Sequence, residues 1–435
     1  MVFRFVLGWI GRLIFLLVGL ILLTWPLFWP PAELRGQWRT DGYGMVLDVG
    51  RFGVTAYQET AVSCLPVFRA PAHSLLLAEL GDLALNPDDA GGLRLDVDGT
   101  ANPIRTHRLA ALPDACAEGG SPQDAGPRQI FDIAWHGMAE HYPFFEMHGI
   151  DWPGRYDRLA PTINSPVDLW PALEAMLDGV NDNNVYLFDP ATGAAITPPR
   201  DLPWHDEAVA FREVPRALGL TQVEDTGLEY TVLDGNIGYV FIRHTATRAG
   251  FGTSQAVQAA EVFAQVSDAL RDTQAIILDN RLNPGGSDAV ALAYAGFFTE
   301  EPALAFTKQT RNDTGFTDPV PAYTIATELP LTQPVYLLNS GYTAGAGEAL
   351  ALALKEMPQV TSLGEPTSGT LSDILDIPLP NGWILGLSHQ VYRDTSGQAV
   401  DGIGVQPDQA MPFEPAAFRR GVDPALDAVR AMIGD

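Results

Sequence analysis

The chain is poor in cysteine, poor in lysine and short of positive charge. Its 435 residues include two cysteines, Cys64 and Cys116, and two lysines, Lys308 and Lys355. Acidic residues outnumber basic ones 53 to 26, for a formal net charge of −27. A surface of that sign repels nucleic acid and anionic lipid, so no nucleic-acid partner is expected. The eight histidines are scattered without metal-ligand spacing, and neither cysteine sits in a C-x-x-C pattern. No metal and no cofactor are therefore expected. Internal repeats and long low-complexity tracts are absent. With 46% hydrophobic and 18% charged residues, the composition is that of a globular protein with a sizeable core, long enough for more than one domain.

One long apolar run is present. It extends from Leu13 to Trp29, broken by Gly19, Thr24 and Pro26, with Arg4 and Arg12 on its N-terminal side. Counted from Phe5, it approaches the ~20 residues that span a bilayer. The arginines place the N-terminus in the cytoplasm. A cleaved signal peptide is the rival reading, but it needs small residues at its end. Here the run ends in Trp25, Pro26, Leu27, Phe28 and Trp29, and the two tryptophans suit a membrane interface. Residues 1–31 are thus expected to form a membrane anchor, with the bulk of the chain extracytoplasmic (periplasmic in a Gram-negative cell). In that compartment Cys64 and Cys116 either close a disulfide or remain two buried thiols. A bridge would enclose about 50 residues and contribute ~4 kcal/mol in the chain-entropy model.

Residues 32–118 read as a small all-β domain. Met45–Val49 and Val54–Tyr57 are short strand-like runs, and Leu93–Val97 alternates apolar and polar residues before an Asp98-Gly99 turn. The stretch from Ala117 to Pro127, rich in Gly, Pro, Ser and Asp, reads as a linker. Residues 119–200 then carry helical patterns. Phe131, Ala134, Trp135 and Met138 recur at helical spacing, and Ser165-Pro166 is a helix start. From about Gly235, strands alternate with helices within an α/β core spanning residues 201–435. Strands are expected at Ile237–Ile242, Ala275–Asp279, Val335–Asn339 and Val360–Leu363, with helices between them. That alternation implies a largely parallel sheet whose sites lie beyond the strands' carboxyl ends.

Three Gly-rich loops occupy those ends. They are Asp279-Asn280-Arg281-Leu282-Asn283-Pro284-Gly285-Gly286, then Asn339-Ser340-Gly341-Tyr342-Thr343-Ala344-Gly345-Ala346-Gly347-Glu348, then Gly364-Glu365-Pro366-Thr367-Ser368-Gly369-Thr370. Glycines let backbone amides approach a ligand, and amides at a helix start stabilise negative charge. In this order, and closed by Gly402-Ile403-Gly404-Val405-Gln406-Pro407-Asp408, the loops resemble the tail-specific, or C-terminal processing, serine protease family. His141–Phe145 and Gly149–Trp152 resemble that family's helical region. The resemblance implies a ClpP/crotonase-like α/β core behind the helical region, the β domain and one transmembrane helix. It implies unstructured polypeptide or protein C-termini as partners, with Gly285, Gly286 and Ala346 lining an oxyanion and peptide site. Too few residues separate Pro190 from Gly235 for a PDZ domain, so the chain is most similar to the tricorn-core and interphotoreceptor-retinoid-binding-protein-like branch.

The chain departs from the family pattern where the chemistry belongs. The nucleophilic serine aligns with Gly345, the lysine of the Ser-Lys branch with Thr370, and the histidine base of the tricorn-like branch with Asn184. Asp401 takes the place of a late acidic residue. Glycine has no hydroxyl and asparagine no basic nitrogen, so the expectation is a serine-type peptidase by descent with impaired catalysis. The alternative is an active serine- or threonine-type endopeptidase using a displaced nucleophile, Thr343 or Ser340, with His244 as a conceivable base. A structural or assembly role, and small-molecule binding on the retinoid analogy, are two further readings.

Overall fold

The computed structural model describes residues 30–71, 83–88, 91–117, 124–197, 211, 215, 217–248, 253–312 and 315–434. Seven strands come first: β1 (Gly36–Thr40), β2 (Met45–Val49), β3 (Gly53–Thr60), β4 (Ser63–Pro71), β5 (Leu83–Pro87), β6 (Leu93–Val97) and β7 (Ile104–Leu109). They form one antiparallel sheet in the order β4-β3-β2-β1-β7-β6-β5. Alternation decides the faces: Leu93 and Leu95 turn inward with Trp38, Leu47 and Val54, while Arg94 is exposed. Cys64 of β4 is bonded to Cys116, in the short helical turn Asp114–Ala117 that ends the domain.

Three helices follow, α1 (Pro127–His141), α2 (Trp152–Leu159) and α3 (Pro166–Leu177). The start of α3 combines Ser165 as N-cap, Pro166 at the first position and Asp168, whose carboxylate accepts the Ser165 N–H at 2.8 Å. Beyond them come β8 (Tyr186–Phe188), β9 (Ala195–Ile196), β10 (Thr221–Gln222), β11 (Thr226–Leu233), β12 (Ile237–Thr247), α4 (Gln255–Leu270), β13 (Ala275–Asp279) and α5 (Asp288–Ala295). The remainder comprises β14 (Leu304–Asn312), β15 (Gly315–Phe316), β16 (Val320–Tyr323), β17 (Val335–Asn339), α6 (Ala346–Lys355), β18 (Val360–Gly364), β19 (Ile374–Pro378), β20 (Ile384–Ser388), β21 (Gln390–Arg393), β22 (Gln409–Ala410) and α7 (Pro424–Gly434).

The central sheet runs β10-β11-β12-β13-β17-β18-β22, parallel from β12 onward. Every residue of β13 is buried, as befits a strand covered on both faces. One face packs Val240, Ile276 and Leu337 against Phe263, Val290 and Leu350 of the connecting helices. A second sheet, β19-β20-β8-β9, shares a core with α1 and α3, and β14 pairs with β15, β16 and β21. The parallel strands all deliver their loops to one edge, and β19 is the outer strand of its sheet beside it.

The architecture is a mixed α/β unit preceded by a β domain. The expected transmembrane helix is a correction. The apolar run Leu13 to Trp29 lies outside the described residues, and among the described residues no helix is long and apolar enough to cross a membrane. The longest, α4, has 16 residues and one polar face, short of the ~20 apolar residues a bilayer requires. The fold is therefore stated without a membrane span, and the membrane-anchored, extracytoplasmic localisation expected with it is withdrawn.

Candidate active-site cleft

The three Gly-rich loops meet because they leave three adjacent parallel strands, β13, β17 and β18. Side-chain amides lock them together. Asn280 donates to Asn339 Oδ1 at 2.9 Å and to the Gly347 carbonyl at 3.0 Å, and Asn283 donates to Asn280 Oδ1 at 2.9 Å. Asn283 Oδ1 in turn accepts the Gly285 N–H at 3.0 Å. These amides are fully buried, where an unpaired polar group would be costly, so the network holds the loop shapes.

Between the loops lies a cleft of about 390 Å³. Gly285 and Gly286 have φ of +109° and +145°, a conformation open to glycine. A Cβ at Gly285 would fall 3.0 Å from the Ala344 carbonyl and 3.1 Å from the Ala346 nitrogen, so the close approach of the first two loops depends on its absence. Gly286 and Ala346 line the cleft, and their N–H groups have no acceptor among the described residues.

Gly345 and Asn184 both line this cleft, as does Thr370. Gly345 is the N-cap of α6, at φ 52° and ψ −125°. This is the sharp strand-to-helix elbow on which a nucleophile is held exposed in other hydrolase folds. A Cβ there would meet nothing nearer than 3.7 Å. Asn184 spends its amide on structure, donating to Ser388 Oγ at 3.0 Å and to the Thr370 and Ser372 carbonyls at 3.3 Å. Among the described residues lining the cleft there is no histidine and no lysine.

The displaced-nucleophile candidates face elsewhere. Thr343 is fully buried. Its hydroxyl donates to the Asn280 carbonyl at 2.9 Å and accepts the Ser340 N–H at 3.1 Å. Ser340 is 1% exposed and donates to the Arg281 carbonyl at 2.6 Å. His244 is not among the residues lining the cleft, and burial lowers its pKa. Asp401 is hydrogen-bonded to His148 at 3.2 Å, and no bond joins it to Asn184. Burial pushes the Asp401 carboxyl up to about 6 against that bond, and the bond raises His148.

Three participants escaped sequence reasoning. Glu348, in the first turn of α6, is fully buried. Its carboxylate accepts from Gly345 N, Gly369 N, Thr370 N, Thr367 Oγ1 and Ser368 Oγ, at 2.6 to 3.1 Å. Burial pushes it up to about 7, against the pull of those donors. Asp288 and Asp373 form one end of the cleft, held from behind by the Lys308 ammonium at 3.4 and 2.9 Å and by the Tyr392 hydroxyl at 2.6 and 3.0 Å. Burial works against the Lys308 charge, but the two carboxylates outweigh it and raise its pKa. A Glu at the third helical position after a glycine elbow was the one available signal for Glu348. Nothing local marks the Lys308 cluster, whose members come from α5, β14, β21 and the start of β19.

Residues 236–411 match the model of peptidase family S41, and residues 123–177 match that of the tricorn protease C1 domain. The chain thus carries a peptidase family S41 domain and a tricorn C1 domain, consistent with the tail-specific, C-terminal processing protease family. It is 28% identical over 158 residues to a carboxy-terminal-processing protease of Bartonella bacilliformis, covering 34% of this chain and 35% of that one. It is 31% identical over 141 residues to the chloroplastic carboxyl-terminal-processing peptidase 2 of Arabidopsis thaliana, covering 32% and 27%. The chain thus spans about a third of the length of these relatives. The solved structure of a presumed peptidase of Parabacteroides merdae superposes with a TM-score of 0.61 at 25% identity, over 71% of this chain and 97% of that one. The S41-matched region, residues 236–411, contains all three loops and the elbow at Gly345.

Proposed function

We propose that this chain binds unstructured polypeptide in its cleft and is impaired in cleaving it, because the nucleophile and base positions hold Gly345 and Asn184. The observation that carries this reading is the pair itself: both residues line one cleft, and neither can attack a carbonyl or take a proton. The hydroxyls at Thr343 and Ser340 are committed to backbone carbonyls, which speaks against a displaced nucleophile. Loss of a nucleophile or base costs a serine protease about a millionfold in turnover. The retained N–H groups of Gly286 and Ala346 still offer a site for a peptide carbonyl or carboxylate. Ile374 lines the cleft at the start of outer strand β19, so an extended peptide has a free strand edge with which to pair.

The test is cleavage of casein by the full chain, beside the double variant Gly345→Ser, Asn184→His. The natural chain is expected to bind casein without cutting it, and the variant to cut it. Cleavage by the natural chain that Thr343→Ala abolishes would overturn the reading. Serine at φ 52° is strained, so the restored form is also expected to lose ~1–3 kcal/mol of stability.

A further inference from the structure

Two charged residues line the cleft between the Gly-rich loops, Asp288 and Asp373, and among the described residues no cation does. Asp288 opens α5, two positions after Gly286, whose N–H has no acceptor among the described residues. Asp373 immediately precedes the outer strand β19, and Ile374 beside it also lines the cleft. An extended peptide that pairs with the β19 edge and rests a carbonyl on Gly286 therefore runs past both carboxylates.

The counter-charge behind them is incomplete. The Lys308 ammonium stands 2.9 Å from Asp373 and 3.4 Å from Asp288, and no other cation is within ion-pair distance of either among the described residues. His389 meets the Asp373 carbonyl, but burial lowers its pKa to about 4, so it adds no charge at neutral pH. Two carboxylates against one ammonium leave one negative charge. Burial works against ionised Asp373, but the Lys308 charge outweighs it and holds the carboxyl below the usual carboxylate range. Burial raises Asp288 against the same ammonium. Hydrogen-bond donors are short as well. The Tyr392 hydroxyl has a single proton, yet it stands 2.6 Å from Asp288 Oδ2 and 3.0 Å from Asp373 Oδ1. Lys308 and Tyr392 both reach Asp288 at Oδ2, so Oδ1 has no donor among the described residues, although the residue is only 6% exposed. The Asp373 side chain is 33% exposed. A buried carboxylate oxygen without a donor calls for one, and buried charge calls for a partner.

Resting on the reading of the cleft as a peptide site, we propose that its occupant carries a cationic side chain, a lysine or an arginine, whose head donates to Asp288 Oδ1 and to the Asp373 carboxylate. The ligand's charge would complete a set of two carboxylates and two cations, with Lys308 on the protein side and the peptide on the cleft side. The hydrogens of an ammonium or a guanidinium would supply the donors that Tyr392 and Lys308 leave wanting. Asp288 and Asp373 then decide which polypeptide segment sits in the cleft, while the Gly286 and Ala346 N–H groups hold its backbone.

The experiment is calorimetric titration of the full chain with short alanine-based peptides, acetylated and amidated, that differ at one central residue: lysine, arginine, norleucine or glutamate. Salt at about 0.15 M screens the diffuse attraction of an acidic surface for any cation. The lysine or arginine peptide is expected to bind about tenfold or more tighter than the norleucine peptide, with the glutamate peptide weakest. The tighter of the two cationic arms identifies the head group. Asp373→Asn is expected to bring the ratio of lysine to norleucine affinity close to one, while Asp268→Asn, at an exposed carboxylate on α4, leaves that ratio unchanged. If the Asn variants do not fold, the natural chain is treated with the lysine peptide and a carbodiimide, which joins the peptide amine to a neighbouring carboxylate. Mass spectrometry is then expected to find the amide at Asp373 or Asp288, and coupling confined to other carboxylates counts against the proposal. Equal binding of all four peptides overturns the choice of a cationic side chain and leaves the peptide cleft standing. Preference for the cation that survives both Asp373→Asn and Asp288→Asn overturns it too, and binding of none of the peptides removes the peptide cleft along with it.

Discussion

Glu348 is the residue on which the cleft turns. One carboxylate closes the α6 elbow at Gly345 and fastens the loop from Thr367 to Thr370, so two walls of the cleft share a single acceptor. A glutamine offers only one acceptor oxygen, leaving buried donors unpaired. Glu348→Gln is therefore expected to cost ~2–4 kcal/mol in urea unfolding at neutral pH. The pH dependence has a definite sign. With its pKa raised from 4.5 to about 7, the folded state keeps a proton that the unfolded state has lost. The contribution to stability from this group is full below about pH 4.5 and declines as pH rises to about 7, by roughly 3 kcal/mol. Natural chain minus variant, compared at the two ends of that window, should show the decline; a flat difference would mean the carboxylate is ionised throughout. Gly345 and Thr370 line the cleft from loops that follow β17 and β18, and Asn184 lines it from the segment just before β8. The pairing of Asp401 with His148 was not legible in the sequence, since 253 residues separate them and only the tertiary fold brings them together.

At the level of elements, local pattern and outcome agree where the pattern is local. Ala275–Asp279 and Val335–Asn339 are strands over those very residues, and Leu93–Val97 alternates as expected. The helix between β13 and β14 spans Asp288 to Ala295 and continues as a tight 3₁₀ turn from Gly296 to Phe298. Gly296 has backbone packed so close to Ile325 that a Cβ could not fit there. The hairpins β19-β20 and β8-β9 are local, with Asn381-Gly382 and Asp189–Gly193 at their turns, but the pairings of β20 with β8 and of β14 with β21 join strands far apart in the chain and were not legible. Loop contact is equally non-local, and Gly285 measures it. Gly285→Ala drives a methyl against the Ala344 carbonyl and the Ala346 nitrogen at positive φ. It is expected to lower stability by ~1–3 kcal/mol and to weaken casein binding, while the same change at Gly193, also at positive φ but with open space around it, leaves binding intact. Equal binding by both variants would separate the first loop from the cleft.

Taken as a whole, the molecule joins its β domain to the α/β unit through the turn that the sequence marks at Asp98-Gly99. The Asp98 carboxylate accepts the Gln255 N–H at the start of α4, at 3.0 and 3.1 Å. The Gly99 carbonyl accepts from Ser287 Oγ at 2.8 Å and from the Ala289 N–H, at the start of α5. A turn of the β domain thus supplies acceptors to the N-termini of two of the helices that cover the central sheet, and α5 begins where the Gly286 edge of the cleft ends. Further bonds run from Thr310 to the Asp41 carbonyl and from Gln390 to the Tyr43 hydroxyl. Helix N-termini left without acceptors are unstable, and a carboxylate there also answers the helix dipole. The two parts should therefore unfold together. Asp98→Ala leaves the Ser254 N-cap of α4 in place but removes the acceptor for the Gln255 N–H, and is expected to cost ~1 kcal/mol, lowering a single calorimetric transition without splitting it. Two resolved transitions in the natural chain, with only the earlier one moved by Asp98→Ala, would show instead that the β domain melts as a unit of its own and that its contacts with α4 and α5 are incidental to the cleft.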